Sequence, residues 1–127
     1  SFMGSGIDNP YPKKNEGIFE YCKSGKGLVL SEYPNEVSAK PKNFLFRNRL
    51  LACSSELLYV GGGKLRSGSA ASVKYASELG KEVLALPCNC TDDDLTNSLI
   101  KDGATPILNT KDLIYEIETR YQKNILN

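Results

Sequence analysis

Residues 57–87 read LLYVGGGKLRSGSAASVKYASELGKEVLALP, from Leu57 to Pro87. The run from Leu57 to Val60 is apolar, too short for a helix, and ends in Gly61-Gly62-Gly63, which marks a buried strand leaving into a turn. Residues 67–79 predict a helix opened by Ser67-Gly68-Ser69 and closed by Gly80. Residues 83–86 are apolar again and stop at Pro87, a second strand. A strand, a helix and a strand of these lengths form a crossover unit, which is right-handed and makes the two strands parallel. Strands that are apolar throughout, rather than alternating, belong to a sheet covered by helices on both faces.

The same alternation continues outward. Residues 92–101 predict a helix whose acidic first turn suits the positive end of its dipole, stopped by Gly103. Residues 106–108 predict a last strand, and residues 110–120 a terminal helix capped by Thr110. Toward the start, residues 15–24 predict a helix with Ile18, Phe19 and Cys22 on one side, stopped by the glycines at 25 and 27. Residues 28–31 predict a strand ended by Tyr33-Pro34-Asn35. Residues 37–43, polar and basic around Pro41, predict a loop, and residues 44–54 place Leu50, Leu51 and Cys53 at helical spacing. The fold class is α/β: a Rossmann-like three-layer domain with a mostly parallel sheet.

A length of 127 residues fits one domain, residues 1–127, with one core. The chain has no histidine, which excludes His-based acid–base chemistry, the usual serine triad and His-ligated zinc. Apolar runs fall far short of the roughly 18 residues of a membrane span. No charged-then-apolar leader with a cleavage site is read at the start, and the expectation is a soluble, cytoplasmic protein without membrane contact. Cys22, Cys53, Cys88 and Cys90 lack metal-site spacing and read as reduced thiols, so neither metal nor cofactor is expected.

The formal charge of +1 hides a segregation. Between residues 37 and 77, seven cations (Lys40, Lys42, Arg47, Arg49, Lys64, Arg66 and Lys74) stand against Glu56 alone, while both flanks are net acidic. A polyanionic partner would meet this middle third.

Ligands of open parallel sheets bind beyond the carboxyl ends of the strands. Three loops lie there. In the one after Val60, the glycines permit a tight turn, and Ser67-Gly68-Ser69 presents free amides at a helix start, able to hold a phosphate. It matches neither the P-loop nor the dinucleotide fingerprint, and a plain glycine turn with a serine cap is the alternative. Another, Ser31-Glu32-Tyr33-Pro34 with the basic stretch after it, leads into residues 43–49, where basic residues interleave with Phe44 and Phe46 at the start of a helix. Arg47 and Arg49 lie two apart, about 200° around a helix, so one can meet a ligand while the other pairs internally, for instance with Glu32. An aromatic beside a cationic groove is a platform for an unpaired base, worth roughly 1–3 kcal/mol per stacked base. The alternative places both phenylalanines in the core and both arginines in structural roles. The third loop, with Cys88, Cys90 and Asp92 to Asp94, reads as a solvated helix start.

Taken in order, Gly4-Ser5-Gly6-Ile7-Asp8 with Tyr11-Pro12, Ser31-Glu32-Tyr33-Pro34, Asn43-Phe44, Arg47-Asn48-Arg49, Ser67-Gly68-Ser69, Pro87, and Asn97 to Ala104 resemble the Rossmann-like domain of the DNA-processing protein A (DprA/Smf) family. The resemblance runs from about Gly4 to Ile114 and lacks the family's earlier strand–loop–helix, so the sheet is expected to be incomplete on its N-terminal side. It implies a non-enzymatic protein that binds single-stranded DNA and delivers it to a RecA-type recombinase during natural transformation. The DNA contacts it implies fall on Lys40, Lys42, Phe44, Arg47, Asn48, Ser67, Gly68 and Ser69. A homodimer interface would map to Leu99, Ile100, Ile107 and Leu108. Cys88 stands where the family has glycine, and Leu45 where it has proline.

Two other functions compete. Gly61-Gly62-Gly63 faintly resembles the loop of Rossmann-like phosphoribohydrolases and lysine-decarboxylase-like proteins, but the next acid is Glu78, at the far end of the helix. A protein-interaction module without nucleic acid is the third reading.

Overall fold

The computed structural model describes residues 1–89 and 94–125. Among them, three parallel strands form the central sheet: β1 (Leu57–Val60), β2 (Glu82–Ala85) and β3 (Thr105–Pro106), in that order across the sheet. Leu58 pairs with Val83 and Val60 with Ala85, and Leu84 pairs with Thr105. The ladder extends past the strand ends through Leu86 N–H to the Val60 carbonyl (3.0 Å) and Ile107 N–H to the Ala85 carbonyl (2.9 Å).

Among the described residues five α-helices accompany the sheet: α1 (Glu16–Tyr21), α2 (Pro41–Cys53), α3 (Gly68–Glu78), α4 (Leu95–Lys101) and α5 (Thr110–Ile125). One face of the sheet packs Leu58, Val60 and Val83 against Ala70 and Val73 of α3 and Leu95 and Leu99 of α4. Side chains alternate along a strand, so Tyr59, Glu82 and Leu84 face the other way. There Glu82 holds Arg120 of α5 at 2.8 Å, and Tyr59 borders a groove with Leu113. Helices on both faces make the three layers expected of a Rossmann-like α/β domain.

Several boundaries differ from the sequence reading, each for a local reason. The strand expected at residues 28–31 reduces to a single parallel bridge between Leu30 and Phe2, closed by Met3 N–H to the Leu30 carbonyl and Leu30 N–H to the Ser1 carbonyl, both 2.9 Å. The helix expected at residues 15–24 is a 3-10 turn (Lys13–Asn15), the short α1, and a wide turn over Cys22–Lys26 in which Gly25 takes φ 83°. It buries Phe19 but leaves Ile18 57% exposed. α2 begins at Pro41, inside the expected loop, because proline at the first helical position loses no hydrogen bond.

α4 begins at Leu95, with Asp94 as its cap. Cys90, Asp92 and Asp93 of the expected acidic start lie outside the described residues. α5 is capped by Asn109 rather than Thr110. The Asn109 side chain accepts from Lys111 N–H (2.8 Å) and Asp112 N–H (3.2 Å), and Asp112 reaches back to Leu108 N–H (2.9 Å) and Asn109 N–H (3.2 Å). Such a reciprocal box satisfies amides that the helix itself cannot.

Candidate nucleic-acid interface

The chain leaves β1 at Val60 and enters α3 at Gly68, with Ser67 as the cap: its hydroxyl accepts from Ala70 N–H at 3.4 Å. The glycine loop between them is tied to the start of α4 by Leu95 N–H to the Gly63 carbonyl, 3.0 Å. α2 packs against α3. Asn48, buried on α2, donates its side-chain amide to the Gly68 carbonyl at 3.1 Å. That bond sets α2 against the first turn of α3, at the carboxyl end of the sheet.

A cleft of about 450 Å³ opens at this junction, lined by Lys40, Phe44, Leu45, Arg47, Asn48 and Gly68, with Tyr11 and Ala39 across from them. Five of the eight residues expected to contact DNA therefore meet around one cavity. Of the other three, Ser67 and Ser69 sit just behind Gly68 at the helix start, and Lys42 is exposed on the first turn of α2. Asn48 has its amide committed to Gly68, so it positions the cleft more than it offers contacts.

The two arginines divide as their spacing requires. Arg49 pairs with Glu32 and stacks over Phe46, 4.3 Å from the ring centroid. Arg47 turns to the other side, 5.6 Å from the Phe44 centroid, and donates to the Phe2 carbonyl. Burial lowers the pKa of Arg47 from its ordinary value, but a guanidinium stays charged throughout the physiological range. The phenylalanines divide likewise: Phe46 is 52% exposed, while Phe44 is half-buried beside the cleft.

Tyr11 was absent from the expected contacts. Its ring centroid lies 5.6 Å from that of Phe44, at 51°, and the side chain is 58% exposed. The Tyr11-Pro12 pair in the sequence was the available signal, but nothing in the spacing brings residue 11 beside residue 44. Gly4 makes room behind: a β-carbon there would sit 2.8 Å from the Phe44 ring.

Of the expected dimer positions, Leu108 is 71% exposed and Leu99 and Ile100 partly so, whereas Ile107, 2% exposed, is enclosed by its own chain. Cys22 and Cys53 are free thiols, and the Cys88 thiol donates to Asp94. Among the described residues no helix is long and apolar enough to cross a membrane.

Comparison with known proteins gives a consistent set of relatives. The model of the family described as DNA recombination-mediator protein A matches residues 1–118. Protein Smf of Synechocystis sp. is 38% identical over 117 residues, which is 88% of this chain and 28% of that protein. DNA processing protein DprA of Streptococcus pneumoniae is 36% identical over 121 residues, 91% of this chain and 42% of that protein. The chain thus spans less than half the length of these curated relatives. Among solved structures, DNA processing protein A from Helicobacter pylori, described for its unique single-stranded DNA binding mode, superposes with a TM-score of 0.83 at 30% identity, over 94% of this chain and 55% of that one. The X-ray structure of the Streptococcus pneumoniae protein superposes at 0.79 with 34% identity, over 89% of this chain and 40% of that one.

Proposed function

This chain belongs to the DNA recombination-mediator protein A family, and from that membership and the cleft at the α2–α3 junction we propose that it binds single-stranded DNA. The observation that carries the reading is the convergence of Lys40, Arg47 and Phe44 on one cavity beside the start of α3. Cations hold the phosphates, and the Phe44 face takes an unpaired base. Ser67, Gly68 and Ser69 offer a phosphate the amides and hydroxyls of a helix N-terminus. Every one of these groups binds and none is arranged to break a bond, which favours a binder over an enzyme.

The bound strand is passed on to a RecA-type recombinase during natural transformation, in the cytoplasm. The chain acts as a homodimer whose contact includes Leu99, Ile100 and Leu108, with Ile107 as the core residue beneath them. The DNA part of this reading is supported by the description of the Streptococcus pneumoniae relative as a DNA processing protein and by the single-stranded DNA binding described for the Helicobacter pylori protein.

Fluorescence anisotropy of a labelled single-stranded oligonucleotide, titrated at graded salt, tests the DNA reading. Affinity falls linearly with salt on a log–log scale, and each phosphate contact removed by Lys40→Ala or Lys42→Ala flattens the slope by about 0.7. Both side chains are exposed, so the fold tolerates their loss. Lack of affinity at low salt, or affinity indifferent to salt, overturns the reading.

A further inference from the structure

A second cleft, about 400 Å³, adjoins the first and shares Tyr11 and Ala39 with it. Its other polar walls are Asp8, Asn9, Lys13, Glu16 and Ser38. Clefts of this size take small ligands or single ring systems. Its charge is opposite in character to that of the first cleft: two carboxylates against one lysine, where the first has Lys40 and Arg47 and no acid. Among the described residues neither Asp8 nor Glu16 is in an ion pair, and Lys23, which both attract, is held by Glu20 at 2.9 Å.

Asn9 is fixed at the cleft wall. Its side-chain amide donates to the Asn35 carbonyl at 3.0 Å, which leaves Oδ1 as an acceptor, and its own carbonyl accepts from the Ser5 hydroxyl at 2.7 Å. The cleft is therefore rich in acceptors and repels phosphate. A strand whose backbone follows Lys40 and Arg47 can send only a base past Tyr11 into it.

Resting on the single-strand reading above, we propose that the Tyr11 cleft is a base-selective subsite that prefers cytosine or adenine to thymine. Asp8 and Glu16 accept from the exocyclic amine of cytosine or adenine, as carboxylates do at cytosine N4. Lys13 and Ser38 donate to the ring nitrogen or carbonyl beside that amine. Thymine has no exocyclic amine, and its single N3–H donor is flanked by two carbonyl oxygens that meet the carboxylates unfavourably. Tyr11, exposed beside Phe44, supplies a second stacking face between the two clefts.

The test uses the whole 127-residue chain and labelled homopolymers of deoxycytidine and thymidine of equal length, at mildly alkaline pH, where cytosine is unprotonated. The wild type binds the deoxycytidine strand about fivefold more tightly. Asp8→Asn combined with Glu16→Gln brings the ratio close to one. A purely electrostatic role for the two acids would instead strengthen both strands by the same factor and leave the ratio unchanged. Asp8→Asn alone, in an exposed turn, narrows the ratio part of the way and guards against a folding defect in the pair. Equal binding of the two strands by the wild type, or a ratio that survives the double substitution, overturns the subsite alone. Failure of both strands to bind overturns the single-strand reading and the subsite with it.

Discussion

A β-carbon built on Gly6 would lie 2.1 Å from the carbonyl oxygens of both Pro34 and Asn35. No rotamer relieves a clash with backbone, so this position demands glycine. The close approach is held by Gly6 N–H to the Val37 carbonyl at 2.8 Å and by Ser31, whose hydroxyl donates to the Ser5 carbonyl at 2.7 Å and accepts from Tyr33 N–H at 3.0 Å. Together these bonds pin the loop that carries Asn9 and Tyr11 to the loop that leads to Lys40. Gly6→Ala is expected to destabilise the chain by about 1–3 kcal/mol, the usual range for overpacking, read as a lower urea midpoint. As a control, Gly62→Ala, in the loop after β1, has no atom within 4 Å of the new β-carbon and leaves the midpoint nearly unchanged. At this scale the sequence was informative where spacing decides the outcome. Two residues apart on a helix, Arg47 and Arg49 had to diverge, and Glu32 is the partner Arg49 finds. Nothing local, however, tells that Arg47 reaches the Phe2 carbonyl, 45 residues away.

Helix ends carry the next level. Asp94 caps α4: one carboxylate oxygen accepts from Thr96 N–H (2.9 Å) and the Thr96 hydroxyl (3.0 Å), and the other accepts from the Cys88 thiol. The Cys88 bond foremost, then those from Thr96, holds the Asp94 pKa below its ordinary value, against the opposing effect of burial. A carboxylate depressed in the folded state contributes fully above its unfolded pKa of about 4 and loses that contribution as pH falls through the folded value. Thermal melts from neutral pH downward should therefore show wild-type stability falling below about pH 4. Asp94→Asn should be less stable at neutral pH and should flatten that part of the profile. A parallel profile for the variant would dissociate Asp94 from the acid transition. Apart from the strand expected at residues 28–31, helix and strand identities were legible from the sequence because Gly25, Gly80, Gly103 and Pro87 punctuate the chain. Exact starts were less so. Pro41 reads equally as loop or first helical residue, and the capping role passes from Thr110 to Asn109 only once the Asp112 side chain folds back.

For the whole molecule, the segregated charge acquires a location. Lys40 and Arg47 face the cleft, Arg49 is neutralised by Glu32, and the acids at residues 8 and 16 border the cleft next door. The proposed binding surface is thus a boundary between basic and acidic walls, with two aromatic rings on it. On this proposal, bases must leave a duplex to reach Phe44 and Tyr11. A single strand present at a hundredfold excess over its dissociation constant should stabilise the fold by about 2.7 kcal/mol and raise its melting temperature by roughly 10 °C. The same sequence as a duplex should raise it far less, and differential scanning calorimetry compares the two. Equal shifts would mean that phosphates alone are recognised.

Periodicity, turn residues and segment charge were enough to establish a three-layer α/β domain with a basic middle third and to nominate two of the three loops beyond its strands for binding. These features depend on neighbours within a few residues, which a linear sequence displays directly. Tertiary structure decided which nominees share a cavity, how Asn48 ties α2 to α3, and that Tyr11 stands opposite Phe44. It also enclosed Ile107 and exposed Leu108, one residue apart. Those outcomes depend on packing between segments tens of residues apart, where the partner of each side chain is set by the summed geometry of helices and sheet rather than by its neighbours in the chain.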